Sequence, residues 1–129
     1  MTDIVEAQWQ RIRPTASGPT WLVNSFTALV QAAYEEPRLR RLYPWTGMWE
    51  LHFSRCTEPR FTWDIPYAAP LTGGGYRVDG PSRSQHIGEA ATAHEAVALV
   101  VERLPSGCGR AFIGTAAELK QQERAQADG

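Results

Sequence analysis

EEPRLRRLYPWTGMWELHFSR, residues 35–55, is where the chain changes character. Before it, Leu22, Phe26, Leu29, Val30 and Ala33 form one apolar stripe at helical spacing, which predicts a helix from Trp21 to Glu36. Pro37 interrupts it, because a proline disfavours helical backbone at the residue before it. A short helical turn is expected over Arg38–Leu42, ending before Pro44, with a loop from Leu42 to Met48. The period then becomes two. Trp49, Leu51 and Phe53 alternate with Glu50, His52 and Ser54, the pattern of a half-buried strand. The same stretch gathers Tyr43, Trp45 and the His52 ring beside Arg38, Arg40, Arg41 and Arg55. It is either a binding site or the seam where helix hands over to sheet.

Downstream, Phe61, Trp63 and Ile65 alternate with Thr62 and Asp64, which predicts a second strand after a turn at Pro59. Tyr67–Leu71 extends the sheet, with Pro66 and Pro70 confining it to an edge or a bulge. Gly73-Gly74-Gly75 is a hairpin turn, since it lacks the spacing of a phosphate loop. Tyr76–Asp79 and Gln85–Ala90 are two more strands, separated by a turn at Gly80-Pro81-Ser82. Thr92–Glu95 reads as a capping box opening a helix with Ala96, Val97, Leu99, Val100 and Leu104 on one face. That helix stops before Pro105. Ser106–Gly109 is a loop, and Ala111-Phe112-Ile113 is expected to dock on the core. Thr115–Glu118 caps a last helix, polar apart from its alanines and Leu119. Upstream, Asp3–Glu6 is another capping box, followed by Ile4, Val5, Trp9 and Ile12 at helical spacing. Pro14 and Thr15–Pro19 form a turn, and Ser17 and Pro19 start the next helix.

Runs of one element type, rather than strict alternation, predict an α+β fold. N-terminal helices precede an antiparallel sheet of about four strands, and a C-terminal helix packs on one sheet face. Residues 1–114 are expected to form a single α+β domain, and 115–129 an exposed or frayed C-terminal helix.

The bulk properties narrow the function classes. A chain of 129 residues, 43% hydrophobic and 21% charged, has ordinary globular composition. Its apolar runs, such as Ala96–Val101, are far too short to span a membrane. MTDIVEAQWQ has no basic lead-in to an apolar run, so the expected compartment is the cytoplasm. A net charge of −1 argues against nucleic acid as a partner. Residues 37–60 are the local exception, with five arginines against Glu50 and Glu58. Cys56 and Cys108 lie in no CxxC or CxxH pattern, and His52, His86 and His94 fall in three different elements, so no metal or other cofactor is predicted.

If Trp49, Leu51 and Phe53 face the core, Glu50, His52 and Ser54 line the other face of the sheet. Asp64 on the next predicted strand then lies within reach, because neighbouring strands bring such side chains to about 5 Å. A histidine beside carboxylates suits acid–base work near neutral pH, which makes His52, Glu50 and Asp64 the candidate catalytic groups. The plain alternative is a solvated polar face. Trp45, in its predicted loop, suits stacking on a planar ligand or anchoring that loop. Arg41, Arg55 and Trp63 complete the candidate ligand-binding set. The arginines near Arg38 either bind an anion or pair with Glu35 and Glu36.

The segments AAYEEPRLRRLYPWTGMWELHFSR, GGGYRVDG, GEAATAHEAVALVVERLPSGCG and GTAAEL together resemble a family of small actinobacterial proteins labelled natural product biosynthesis protein. Its members look like EPRLRxLYPFTSHWxLxFS in the first motif and EEAVALVVxxLPxGxGP in the second. The resemblance runs from about Trp21 to Leu119. Trp45 stands where that pattern has phenylalanine, and Gly47-Met48 where it has serine–histidine. The resemblance implies a place in secondary metabolism rather than a reaction. Two functions follow as expectations. One is a protein that binds a small-molecule intermediate, with cofactor-independent tailoring chemistry as its catalytic form. The other is a non-catalytic accessory protein, a homodimer included, that binds a pathway enzyme or carrier through its aromatic and arginine surface.

Overall fold

The computed structural model describes residues 3–12 and 18–128. Five helices and five strands follow in the order α1 (Ile4–Ile12), α2 (Thr20–Glu35), α3 (Pro37–Arg40), β1 (Tyr43–Gly47), β2 (Glu50–Ser54), β3 (Tyr67–Pro70), β4 (Tyr76–Asp79), β5 (His86–Ala90), α4 (Ala93–Glu102) and α5 (Ala116–Asp128). The strands form one antiparallel meander in sequence order. The α+β class holds, with five strands among the described residues where about four were expected.

Four of the five helices begin where side chains satisfy their first N–H groups; α2 instead follows Pro19 with no side-chain cap. Asp3 Oδ1 accepts from the amide of Val5 at 2.9 Å, and Thr92 Oγ1 from that of Glu95 at 3.1 Å. Thr115 and Glu118 complete a reciprocal capping box, at 3.2 and 3.0 Å. Glu36 leaves helical backbone just before Pro37, and its carboxylate caps the amide of Arg38 at 3.1 Å. Of the turn expected from Pro14 to Pro19, residues 14–17, and with them the role given to Ser17, lie outside the described residues.

One sheet face carries the core. Leu51, Phe53, Ala68, Tyr76 and Val78 pack with Phe26, Leu29, Val30 and Ala33 of α2 and with Ala96, Val97 and Val100 of α4. The stripes read from the sequence are these buried sides. Tyr76 enters the core with its hydroxyl satisfied, donating to the Ser25 carbonyl at 2.7 Å. Helix α1 lies against β1, and Trp9, fully buried, donates its indole N–H to the Arg40 carbonyl at 2.9 Å. Helix α5 docks through Leu119 and is exposed from Lys120 to Gln126.

Three expectations change. Residues 43–47 are a strand, not a loop, because Met48 and Trp49 turn the chain back within two residues. Both have left-handed backbone, φ 52° and 60°, as a two-residue hairpin turn of the right twist demands. That conformation normally signals Asn-Gly, so the sequence hides the turn. Trp49 is therefore a turn residue rather than the first core residue of a strand. Its ring meets Phe26 edge-on at 5.6 Å and covers Gly18, where a Cβ would come within 2.7 Å of the indole. Third, residues 61–65 form no strand; the segment between β2 and β3 crosses the outer face of the sheet as irregular chain.

Met48 is 88% exposed, so its side chain recovers little of the left-handed strain. Met48→Asn is expected to stabilise the fold by about 1 kcal/mol, since asparagine tolerates this conformation. A thermal melt checks this: the midpoint should rise by a few degrees, and an unchanged or lower midpoint would contradict a strained hairpin.

Candidate functional site

The strand register places a row of side chains on the sheet face away from the helices. Trp45 stands opposite His52, and Tyr67 opposite Asp79, which is opposite His86. With Leu51 opposite Ala68, antiparallel pairing sets His52 beside Tyr67. The rings stack accordingly. The His52 imidazole lies between Trp45, at 4.0 Å and 10°, and Tyr67, at 4.6 Å and 26°. Trp63, from the crossing segment, stands edge-on to both Trp45 and His52 at 5.2 and 5.5 Å. Phe61 extends the stack over Trp45 at 5.6 Å.

Glu50 lies one row along, and its carboxylate is saturated. Oε1 accepts from Arg83 Nη2 and pairs with His52 Nε2; Oε2 accepts from Arg77 Nη2 and Arg83 Nη1, all at 3.0 Å. Two bonds to each oxygen use the full acceptor capacity of a carboxylate. Arg77 also pairs with Asp79, and Asp79 Oδ1 meets His86 Nδ1 at 2.7 Å. Burial pushes the Glu50 carboxyl up, but the bonds from Arg83, Arg77 and His52 outweigh it and hold its pKa at about 2. An ionised carboxylate only accepts, so His52 Nε2 carries the proton. Burial lowers the pKa of His52, with Glu50 pulling the other way.

This face is not the solvated polar surface of the alternation argument. Glu50, His52 and Ser54 are all buried. Ser54 fixes the covering segment: its Oγ donates to the Cys56 carbonyl at 2.7 Å and accepts from the amides of Cys56 and Thr62 at 3.1 and 3.2 Å.

Of the residues singled out in the sequence, Glu50, His52, Trp45 and Trp63 come together. Asp64 does not join Glu50 and His52, because its segment is not a paired strand. Its Oδ2 instead accepts from Arg55 Nε at 2.6 Å, and Arg55 also reaches Glu123 of α5 at 3.1 Å. Arg41 donates to the Cys108 carbonyl at 2.7 Å. Tyr67, Arg77, Arg83, Asp79 and His86 were missed. Arg77 and Asp79 were legible in principle, since both flank core-facing Val78 in a predicted strand. Arg83 sits in a turn and carries no local signal.

Two polar atoms in this region are buried without a hydrogen-bond partner among the described residues: the indole nitrogen of Trp45 and Asp64 Oδ1. Trp63, edge-on to Trp45 and next in sequence to Asp64, is 52% exposed. Grooves of about 490, 380 and 240 Å³ lie elsewhere: between α2 and α4, beside Gly74-Gly75, and around Arg40, Arg41 and Arg110. Among the described residues, no group of three or more histidine, cysteine or carboxylate side chains is placed to hold a metal ion. Nor is any helix among them long and apolar enough to cross a membrane.

Residues 3–115 match a family model. The chain belongs to the family of unknown function DUF6193. Neither a curated protein nor a solved structure matches it. The matched span of this DUF6193 member contains every residue of the stacked cluster and most of the fold, while α5 lies beyond it.

Acid should lower the stability of the protein through two groups. Glu50 is held below its usual 4.5, so its contribution is complete above pH 4.5 and fades as pH falls towards 2. At about 1.4 kcal/mol per unit this amounts to roughly 3 kcal/mol. His52 is also depressed, so the unfolded chain binds its proton more readily and stability declines as pH drops below 6.5. Urea unfolding across this range should show both declines, with the lower one shallower in Glu50→Gln. Parallel profiles for the two proteins would contradict the assignment of Glu50.

Proposed function

We propose that this protein binds a small-molecule intermediate of natural-product biosynthesis on the outer sheet face around Trp63. The observation that carries the reading is the half-exposed Trp63 indole, edge-on to Trp45 and next in sequence to Asp64, two residues that each hold a buried, unpartnered polar atom, Trp45 Nε1 and Asp64 Oδ1. An exposed ring offers a stacking surface, and a donor and an acceptor with no partner in the protein would gain one from a ligand that reached them. Arg55, fixed by Asp64 and Glu123, adds further N–H donors beside Asp64. The biosynthetic setting rests on the motif resemblance alone.

In this reading the site recognises rather than catalyses. His52 is closed in by aromatic rings on both faces, and its Nε2–H is committed to Glu50, so its proton is not offered to a substrate. Glu50 has no free lone pair to act as a base. Asp64 and Arg55 hold one another and orient the ligand. Arg41 stands apart, tied to the Cys108 loop.

The accessory-protein reading keeps one observation in its favour: Met48 and Ile113, 88% and 71% exposed, are apolar groups left in water. Native mass spectrometry separates the two readings. The purified protein, incubated with metabolite extract of a producing strain, should retain a small molecule that Trp63→Ala loses while staying folded. A bare protein, or a homodimer with nothing bound, would move the weight to the accessory reading.

A further inference from the structure

Arg83 is unlike the other groups around Glu50. It reaches the carboxylate from the turn between β4 and β5, not from a strand, and its side chain is 60% exposed while that of Glu50 is 4% exposed. Its guanidinium makes a two-pronged pair with Glu50, Nη1 to Oε2 and Nη2 to Oε1, both at 3.0 Å. The same group lies over the Tyr67 ring, 5.5 Å from its centre. A carboxylate edge beside an aromatic face is what recognises an alkylguanidinium or ammonium ion.

The turn does not need Arg83 for its shape. Gly80 donates to the Gln85 carbonyl at 2.8 Å, Gln85 to the Ser82 carbonyl at 3.0 Å, and the Ser82 amide to Gln85 Oε1 at 3.0 Å. Gly80 itself lies against Tyr67, where a Cβ would come within 2.8 Å of the ring. Backbone and ring thus fix the turn, and the Arg83 side chain alone can swing into solvent. Its departure frees one acceptor position on each Glu50 oxygen. The charges left behind are Glu50 and Asp79 against Arg77, an excess of one negative charge. His52, itself stacked on Tyr67, keeps its bond to Oε1 and holds the carboxylate in place.

We infer that Glu50 and Tyr67 form a binding site for a cationic group, a guanidinium or an alkylammonium, that Arg83 fills from the protein's own turn until a ligand displaces it. The site adjoins Trp63 through His52, so it deepens the reading above by naming the ligand class. The ligand carries a cation beside a planar portion, with the cation on Glu50 and the plane on Trp63.

Methylguanidinium, a probe with no planar portion, tests the cation site alone by titration against tryptophan fluorescence and by calorimetry. Wild type should bind it saturably. Arg83→Ala should bind it about tenfold more tightly or better, because an occluded site lowers apparent affinity by the fraction of time it is open. Glu50→Gln should not bind it. Binding by Arg83→Ala alone would make Arg83 a permanent fixture and overturn the inference, as would equal binding by wild type and Arg83→Ala, or no binding by any. If Glu50→Gln does not fold, Arg83→Glu serves in its place: it keeps the site but sets a second carboxylate beside it, and should bind at least as tightly as Arg83→Ala. Weaker binding by Arg83→Glu would count against the site. The outcome is independent of Trp63→Ala and of any metabolite, so this inference and the proposed function can fail separately.

Discussion

Glu50 is a carboxylate on the outer face of the sheet with almost no access to water, and the outer half of the molecule is arranged around that fact. Burying such a charge costs several kcal/mol unless it is paired and fully hydrogen-bonded. Here four donors from three parts of the chain meet the demand: His52 on the same strand, Arg77 two strands away, and Arg83 from the following turn. Arg77 needs a second partner, which Asp79 provides, and Asp79 in turn holds His86 at the sheet's open end. One buried charge thus ties β2, β4, β5 and the turn after β4 into a single network. Removing Arg77, which pairs with both Glu50 and Asp79, leaves buried charge uncompensated, which is more damaging than never having placed it there.

The network also decides the state of the aromatic stack. Because Glu50 is ionised, His52 must donate through Nε2, and that bond fixes the plane of its ring. The fixed plane lets Trp45 and Tyr67 lie nearly parallel to it on either side. A neutral imidazole between two aromatic rings is a packing element with a polar edge, and its burial favours the neutral form. The carboxylate that looks in the sequence like a catalytic partner for the histidine therefore holds that histidine still.

How much of this is legible in the sequence differs by element for physical reasons. The stripe of α2 and the capped start of α4 are visible because helix burial repeats at 3.6 residues and caps use a narrow set of side chains. Alternation through Leu51 and Phe53 marks β2 correctly. Alternation through Phe61, Trp63 and Ile65 misleads, because rings on an irregular segment draped over a sheet also sit on one side of the chain. The β1–β2 turn is hidden by Met48 and Trp49, residues that seldom accept left-handed backbone. Its concealment is why Trp45 read as a loop residue. Within the site, Glu50, His52, Trp45 and Trp63 could be named from local pattern. Tyr67 and Arg83 could not, since their roles depend on which strand lies beside β2 and on where a turn projects.

The covering segment explains why an antiparallel sheet with helices on one face has a second face that is also closed. A five-stranded meander leaves that face to water unless something crosses it. Residues 55–66 cross it, fastened at one end by Ser54 and carrying Phe61 and Trp63 onto the rings beneath. Cover of this kind is one chain thick and has little apolar area of its own behind it. It seals His52 but leaves Trp63 half in water, and the Arg83 side chain closes the remaining side from a turn held by its own backbone. Both lie over a rigid floor of strands. A ligand that reached the floor would meet positions already set by the register, and the reorganisation required would be confined to those two side chains.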